Sequence, residues 1–133
     1  MNFTMLLQTT LCLGAAALVI NFWLTLRIGQ LRTRLKISIG DGGNELLSRR
    51  MRAQLNFIEQ VPVTLLVMGA VELAGKGGQW LAPLGAVFML GRVAHAIGMD
   101  GKFRAGRPLG MMTAIVFQLV LVIAAVLAGL GRI

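Results

Sequence analysis

Apolar residues fill four long stretches of the chain, and the polar ones gather at their ends. The stretches are residues 5–26, 54–74, 80–99 and 109–130. Each is close to the ~20 residues that a helix needs to cross the ~30 Å hydrocarbon layer of a bilayer. The second helix is predicted to start before its apolar run. GDGG at 40–43 interrupts regular structure, Asn44 suits an N-cap, and Glu45 suits a first turn. A helix over 45–74 would be roughly 45 Å long, so its opening turns, LLSRRMRA, would extend into the headgroup layer. Pro62 is expected to kink it, because proline removes a backbone donor in mid-helix. The other helices are predicted over about 5–26, 80–99 and 109–130, with the loop at GKGG, 75–78, turning the second into the third.

Composition supports this reading. The chain has 133 residues, of which 56% are hydrophobic and 14% charged, against about 25% charged in ordinary soluble domains. The fold class expected is all-α: one transmembrane domain, 1–133, built as a four-helix bundle. The first apolar run is expected to be retained rather than cleaved as a leader, since MNFTMLLQ carries no basic residue and the run is long.

The net charge of +8 has a direction. Arg27, Arg32, Arg34, Lys36, Arg49, Arg50 and Arg52 fall around the first link, and Lys102, Arg104 and Arg107 in the third. Only Lys76 and Arg132 fall on the opposite side. Positive charge marks the cytoplasmic face, so both termini are expected on the other side. Nucleic acid is excluded as a partner, because no aromatic residues interleave with these basic ones. A single cysteine, Cys12, and a single histidine, His95, leave no disulfide and no metal-ligand cluster.

Polar side chains inside the spans carry the chemical interest. Arg52, Asn56 and Glu59 are spaced i, i+4, i+7 and share one face of the second helix. Arg92 and His95 share a face of the third. Glu59 lies seven residues past Arg52, and Arg92 seven before Met99, so both sit roughly 10 Å deep from the same side. A lone charge at mid-span costs about 2.5–3.5 kcal/mol on insertion scales, which a partner offsets. A Glu59–Arg92 pair is therefore expected, within one subunit or across two. The spacing alone leaves two readings: glue between helices, or the wall of a ligand cavity.

Four motifs in order give this chain a resemblance. RAQLNFIEQVP (52–62) resembles the R-A-x-x-N-x-x-E-x-x-P signature of the membrane-associated proteins in eicosanoid and glutathione metabolism. GRVAHAIGM (91–99) resembles that family's R-x-x-H/Y motif. GQLRTRLK (29–36) is similar to its basic end of the first helix, and FRAGRP (103–108) to its arginine-bearing link. The GDGG segment is similar to a small bacterial branch, which implies an inner-membrane location.

The resemblance implies a homotrimer that binds glutathione between neighbouring subunits near the cytoplasmic face. It implies a glutathione-dependent transferase or peroxidase acting on a lipophilic electrophile or lipid hydroperoxide delivered from the bilayer. Arg32, Arg52 and Arg107 would clamp carboxylates, Glu59 would take the ammonium group, and Gln54 and Asn56 would add neutral hydrogen bonds. His95 stands where relatives carry a ligand-contacting His or Tyr, and Arg92 would orient Glu59. Arg107, or alternatively Arg104, would favour the thiolate, whose parent thiol has a pKa near 8.5. The chain departs from the family pattern in having no tyrosine: Gln60 and Met99 stand where relatives often have one. A glutathione- or lipid-binding membrane protein without catalysis is the alternative. A proton-coupled exporter is disfavoured, because the first span lacks a carboxylate.

Overall fold

The computed structural model describes residues 6–133 and contains four helices: α1 (Gln8–Leu35), α2 (Glu45–Leu73), α3 (Leu81–Met99) and α4 (Gly106–Gly129). Each is long and apolar enough to cross a membrane, and no strand occurs among the described residues. The expected bundle is thus present, with helix ends that differ from expectation in instructive ways. α1 does not stop near residue 26. The basic segment GQLRTRL remains helical, because its leucines and Ile28 pack against α2: Ile28, Leu31 and Leu47 form a small cluster of their own. The expected start at Met5 lies outside the described residues. α4 begins at Gly106, so Arg107 and Pro108 belong to its first turn, where proline's missing N–H costs nothing.

Local signals account for the link between α1 and α2. Lys36 ends α1 in the left-handed conformation, φ 57°, with its N–H returned to Arg32 O. Asp41 Oδ1 accepts from Gly43 N at 2.9 Å, and the Asn44 side chain caps α2 by accepting from Leu47 N at 2.9 Å. Gly42 has φ 56°, and a Cβ there would meet the Ile37 side chain at 2.6 Å, so the turn needs glycine. α2 then runs through Pro62 without a break.

At the opposite end of the bundle Glu72, near the end of α2, caps α1. Its carboxylate accepts from Thr9 N and Thr10 N, both at 2.8 Å, and from Thr10 Oγ1 at 2.6 Å. The negative side chain sits on the positive end of the helix dipole and satisfies otherwise unpaired N–H groups.

The core between the helices is apolar and well filled. Leu24, Phe57, Val61, Met68, Phe88, Phe117 and Leu121 are buried in it, and the Phe88 and Phe117 rings lie 5.3 Å apart. α3 and α4 approach most closely, through glycine. A Cβ on Gly98 would lie 2.5 Å from Arg107 N, and one on Gly110 would lie 2.5 Å from Gly91 O. Small residues permit this backbone contact, the usual route to tight helix pairs in lipid, where burial of apolar side chains gives little drive. Leu18, Val19, Leu66, Leu90 and Ile123 point outward and are exposed, as a lipid-facing surface requires.

Candidate functional site at the basic end of the bundle

The two basic links lie at one end of the bundle, where α1, α2 and α3 converge on Asp100. Arg27 Nη2 reaches Asp100 Oδ1 at 3.0 Å, and Arg50 Nε lies 3.4 Å from Asp100 Oδ2. Arg27 also stacks over Trp23, 4.7 Å from the ring centre, and Arg50 Nη1 donates to Arg27 O at 3.1 Å. The side chains of Arg27 and Asp100 are nearly inaccessible. A buried charge needs such a partner, because desolvation costs several kcal/mol per ion. Sequence reasoning missed this cluster by treating Arg27 and Arg50 only as markers of membrane orientation. The available signal was Asp100, an isolated acid among the basic residues after α3.

One rung deeper, Arg92 is 3% exposed and ties α3 to both of its neighbours. It donates to Asn56 Oδ1 at 2.6 Å and to the carbonyl of Gly110 on α4. This corrects the expectation of a Glu59–Arg92 ion pair within one subunit. The face of α2 that meets α3 presents Asn56, and Glu59, three residues on, is rotated outward and exposed. Depth was matched, but helix rotation selected the neutral oxygen.

Glu59 instead faces a cavity of ≈ 260 Å³ whose lining includes Arg52, Asn56, His95, Met99 and Arg107. α2 supplies Arg52, Asn56 and Glu59 from successive turns, α3 supplies His95 and Met99, and the first turn of α4 supplies Arg107. His95 is 6% exposed, so only an edge of its ring meets the space. Among the described residues no carboxylate ion-pairs with Arg52 or Arg107, and Glu59 has no cationic partner. Two guanidinium groups, a carboxylate, an imidazole and a carboxamide thus border one small space. That set suits a zwitterion bearing more than one carboxylate.

The other expected residues lie elsewhere. Arg32 and Gln54 line a larger, open cavity of ≈ 710 Å³ on the α1–α2 side, which shares Arg52 with the first. Arg32 holds the link by donating to Gly40 O at 2.7 Å and Ile37 O at 3.3 Å. Gln54 Nε2 donates to Thr25 Oγ1 on α1 at 2.7 Å. Arg104 lines only an outer pocket, whereas Arg107 lines both that pocket and the Glu59 cavity. Gln60, at a position where the family often has tyrosine, joins α4: its Oε1 accepts from Gln118 Nε2 at 2.8 Å. That pair borders a groove of ≈ 300 Å³ which continues from Glu59 along α2 and α4 toward the mid-span. No group of acidic, His and Cys side chains suited to a metal occurs among the described residues.

Comparison with known proteins agrees with this architecture. The chain is 27% identical over 95 residues to "Inner membrane protein YecN" of Escherichia coli strain K12, an alignment covering 71% of this chain and 72% of the relative. The same protein from Escherichia coli O6:H1 matches equally. Together with the four spans, this makes the chain a multi-pass integral protein of the inner membrane. The model of the MAPEG family matches residues 10–127, which include all the cavity residues named above. This chain belongs to the MAPEG family.

Proposed function

We propose that the protein binds glutathione in the Glu59 cavity and joins it through its thiolate to lipophilic electrophiles, or uses the thiol to reduce lipid hydroperoxides. One observation carries the reading. Glu59, a carboxylate within a transmembrane helix with no ion-pair partner among the described residues, shares a cavity with Arg52 and Arg107. Intramembrane ionisable residues are expensive and mark function by default. Glu59 takes the ammonium group of the tripeptide, Arg52 a carboxylate, and Asn56 and His95 neighbouring polar atoms. Arg107 stands by the sulfur and stabilises its anion once the proton has passed to solvent. The thiolate then forms a bond to an electrophilic carbon, whose leaving group departs, or attacks the terminal oxygen of a hydroperoxide and breaks its O–O bond. In the second case the alkoxide takes a proton and leaves as the alcohol, and the glutathione sulfenic acid so formed reacts with a second glutathione to give the disulfide and water.

Arg32 and Gln54 open onto the other side of α2, away from Glu59. A homotrimer reconciles them with the site: these two residues would complete the cavity of a neighbouring subunit. The bulk of the positive charge at this end supports a cytoplasmic orientation, with both termini opposite. The groove past Gln60 and Gln118 supports approach of the second substrate from the bilayer.

The test is calorimetric glutathione binding by the purified protein. Arg52→Ala and Glu59→Gln should each weaken binding by about tenfold or more, the effect of one lost charge-assisted hydrogen bond. Unchanged affinity in both would reject the site. The absence of tyrosine favours a second reading, binding without catalysis. Turnover of a chromogenic electrophile separates the two.

A further inference from the structure

We propose that the basic end carries a phosphate-binding pocket beside the glutathione cavity, sharing Arg52 and Arg107 with it, with Arg49 and Arg104 as its distinctive ligands. A space of ≈ 650 Å³ lies between α2 and the α3–α4 link, lined by Arg49, Arg52, Gly98, Met99, Gly101, Arg104 and Arg107. Four guanidinium groups border it, and among the described residues no carboxylate does. The acids nearby are committed elsewhere. Asp100, next in sequence to Gly101, turns one oxygen to Arg27 and the other to Arg50. Glu45 engages Arg49 from one turn back on α2, where the carboxylate is largely exposed and the guanidinium about half exposed. An exposed pair of that kind contributes little and yields readily to a stronger anion.

The backbone keeps this space open. Gly101 is in the left-handed region, φ 86°, and a Cβ there would stand 3.5 Å from Arg49 Nη1. Gly98, also in the wall, is required by the close approach of α4. α2, the α3–α4 link and the first turn of α4 therefore hold like charges around one volume, a repulsive arrangement that an anion relieves. A phosphate suits it better than a carboxylate, because its tetrahedral oxygens accept from several guanidinium forks at once and it carries up to two charges. The pocket lies at the end of α3, at headgroup level, where basic pockets between transmembrane helices meet anionic lipid. Free inorganic phosphate presents this chemistry in full, and the phosphodiester of phosphatidylglycerol presents it with one charge and two free oxygens.

The test uses the full chain in neutral detergent. Native mass spectrometry measures retention of phosphatidylglycerol against phosphatidylcholine, whose choline offsets the phosphate charge. Thermal unfolding measures stabilisation by inorganic phosphate against chloride at equal ionic strength. Selective retention of phosphatidylglycerol, reduced about tenfold in Arg49→Gln/Arg104→Gln, supports the pocket with lipid as its ligand. Stabilisation by inorganic phosphate, lost in the same variant without lipid selectivity, supports it with a soluble ligand. Absence of both effects in the wild type overturns it. So does an equal loss in Arg34→Gln/Lys36→Gln, which removes exposed charge at the end of α1, outside the pocket. Arg49→Gln alone, an exposed change, gives the same comparison if the double variant does not fold. Arg49 does not line the Glu59 cavity, so Arg49→Gln should leave glutathione affinity unchanged. Glu59→Gln should leave phosphate binding unchanged, so the two sites fail separately.

Discussion

Arg92 donates a 2.6 Å hydrogen bond to the Asn56 side-chain oxygen and thereby joins α3 to α2 inside the membrane-spanning bundle. The bond gives one nitrogen of a guanidinium group that is 3% exposed an acceptor, and it leaves Glu59 free to face the neighbouring cavity. Asn56→Leu should remove one of the two acceptors of Arg92 and leave Nη1 unsatisfied. A loss of about 1–3 kcal/mol of stability is expected, the cost of an unsatisfied buried donor. Asn56→Asp retains an acceptor and should be tolerated better. Denaturant unfolding in mixed micelles checks the order of the two, and equal stability of Asn56→Leu and wild type would refute the role given to this contact.

Asp100 is the common anion for Arg27 and Arg50. Asp100→Asn should cost about 3 kcal/mol, since it leaves the buried Arg27 charge uncompensated. Adding Arg27→Met should recover part of that loss, because the stranded charge is then gone. A double variant as unstable as the sum of the two single ones would show that the ion pair is not coupled.

The α3–α4 contact tolerates no side chain at its glycines. Gly98→Ala and Gly110→Ala should each destabilise by about 1–3 kcal/mol, the usual range for overpacking. Gly29→Ala is the contrast: it lies on the exposed side of α1, and a Cβ added there would find nothing within 4 Å. There alanine should be neutral or stabilising by up to about 1 kcal/mol, through lower chain entropy. Thermal midpoints of the three variants decide the matter.

Glu72 caps α1 from the end of α2. Glu72→Ala should cost about 1–2 kcal/mol, as loss of a strong N-cap does. Its signature is local: amide hydrogen exchange at Thr9 and Thr10 should rise while amides in the centre of α3 stay protected.

Much of the site was visible as spacing. Arg52, Asn56 and Glu59 share a face because a helix repeats every 3.6 residues, and all three border one cavity. Matched depth also brought Arg92 to the right level. The choice between Asn56 and Glu59 as its partner depended on how α2 and α3 are rotated against each other, which periodicity within one helix does not define. Arg27 and Asp100 are 73 positions apart, and only packing discloses that such residues meet. The same holds for Thr10 and Glu72, 62 apart.

By itself the sequence determined that this chain is a bundle of four membrane-crossing helices with its positive charge concentrated at one end. Those properties are sums over local residues: the length of an apolar run, a cap, a count of charges. The tertiary structure alone decided which polar groups are spent on one another and which remain open to a guest. That outcome rests on interhelical distance and rotation, set here by bare glycine backbones at the α3–α4 seam and by three elements converging on one aspartate.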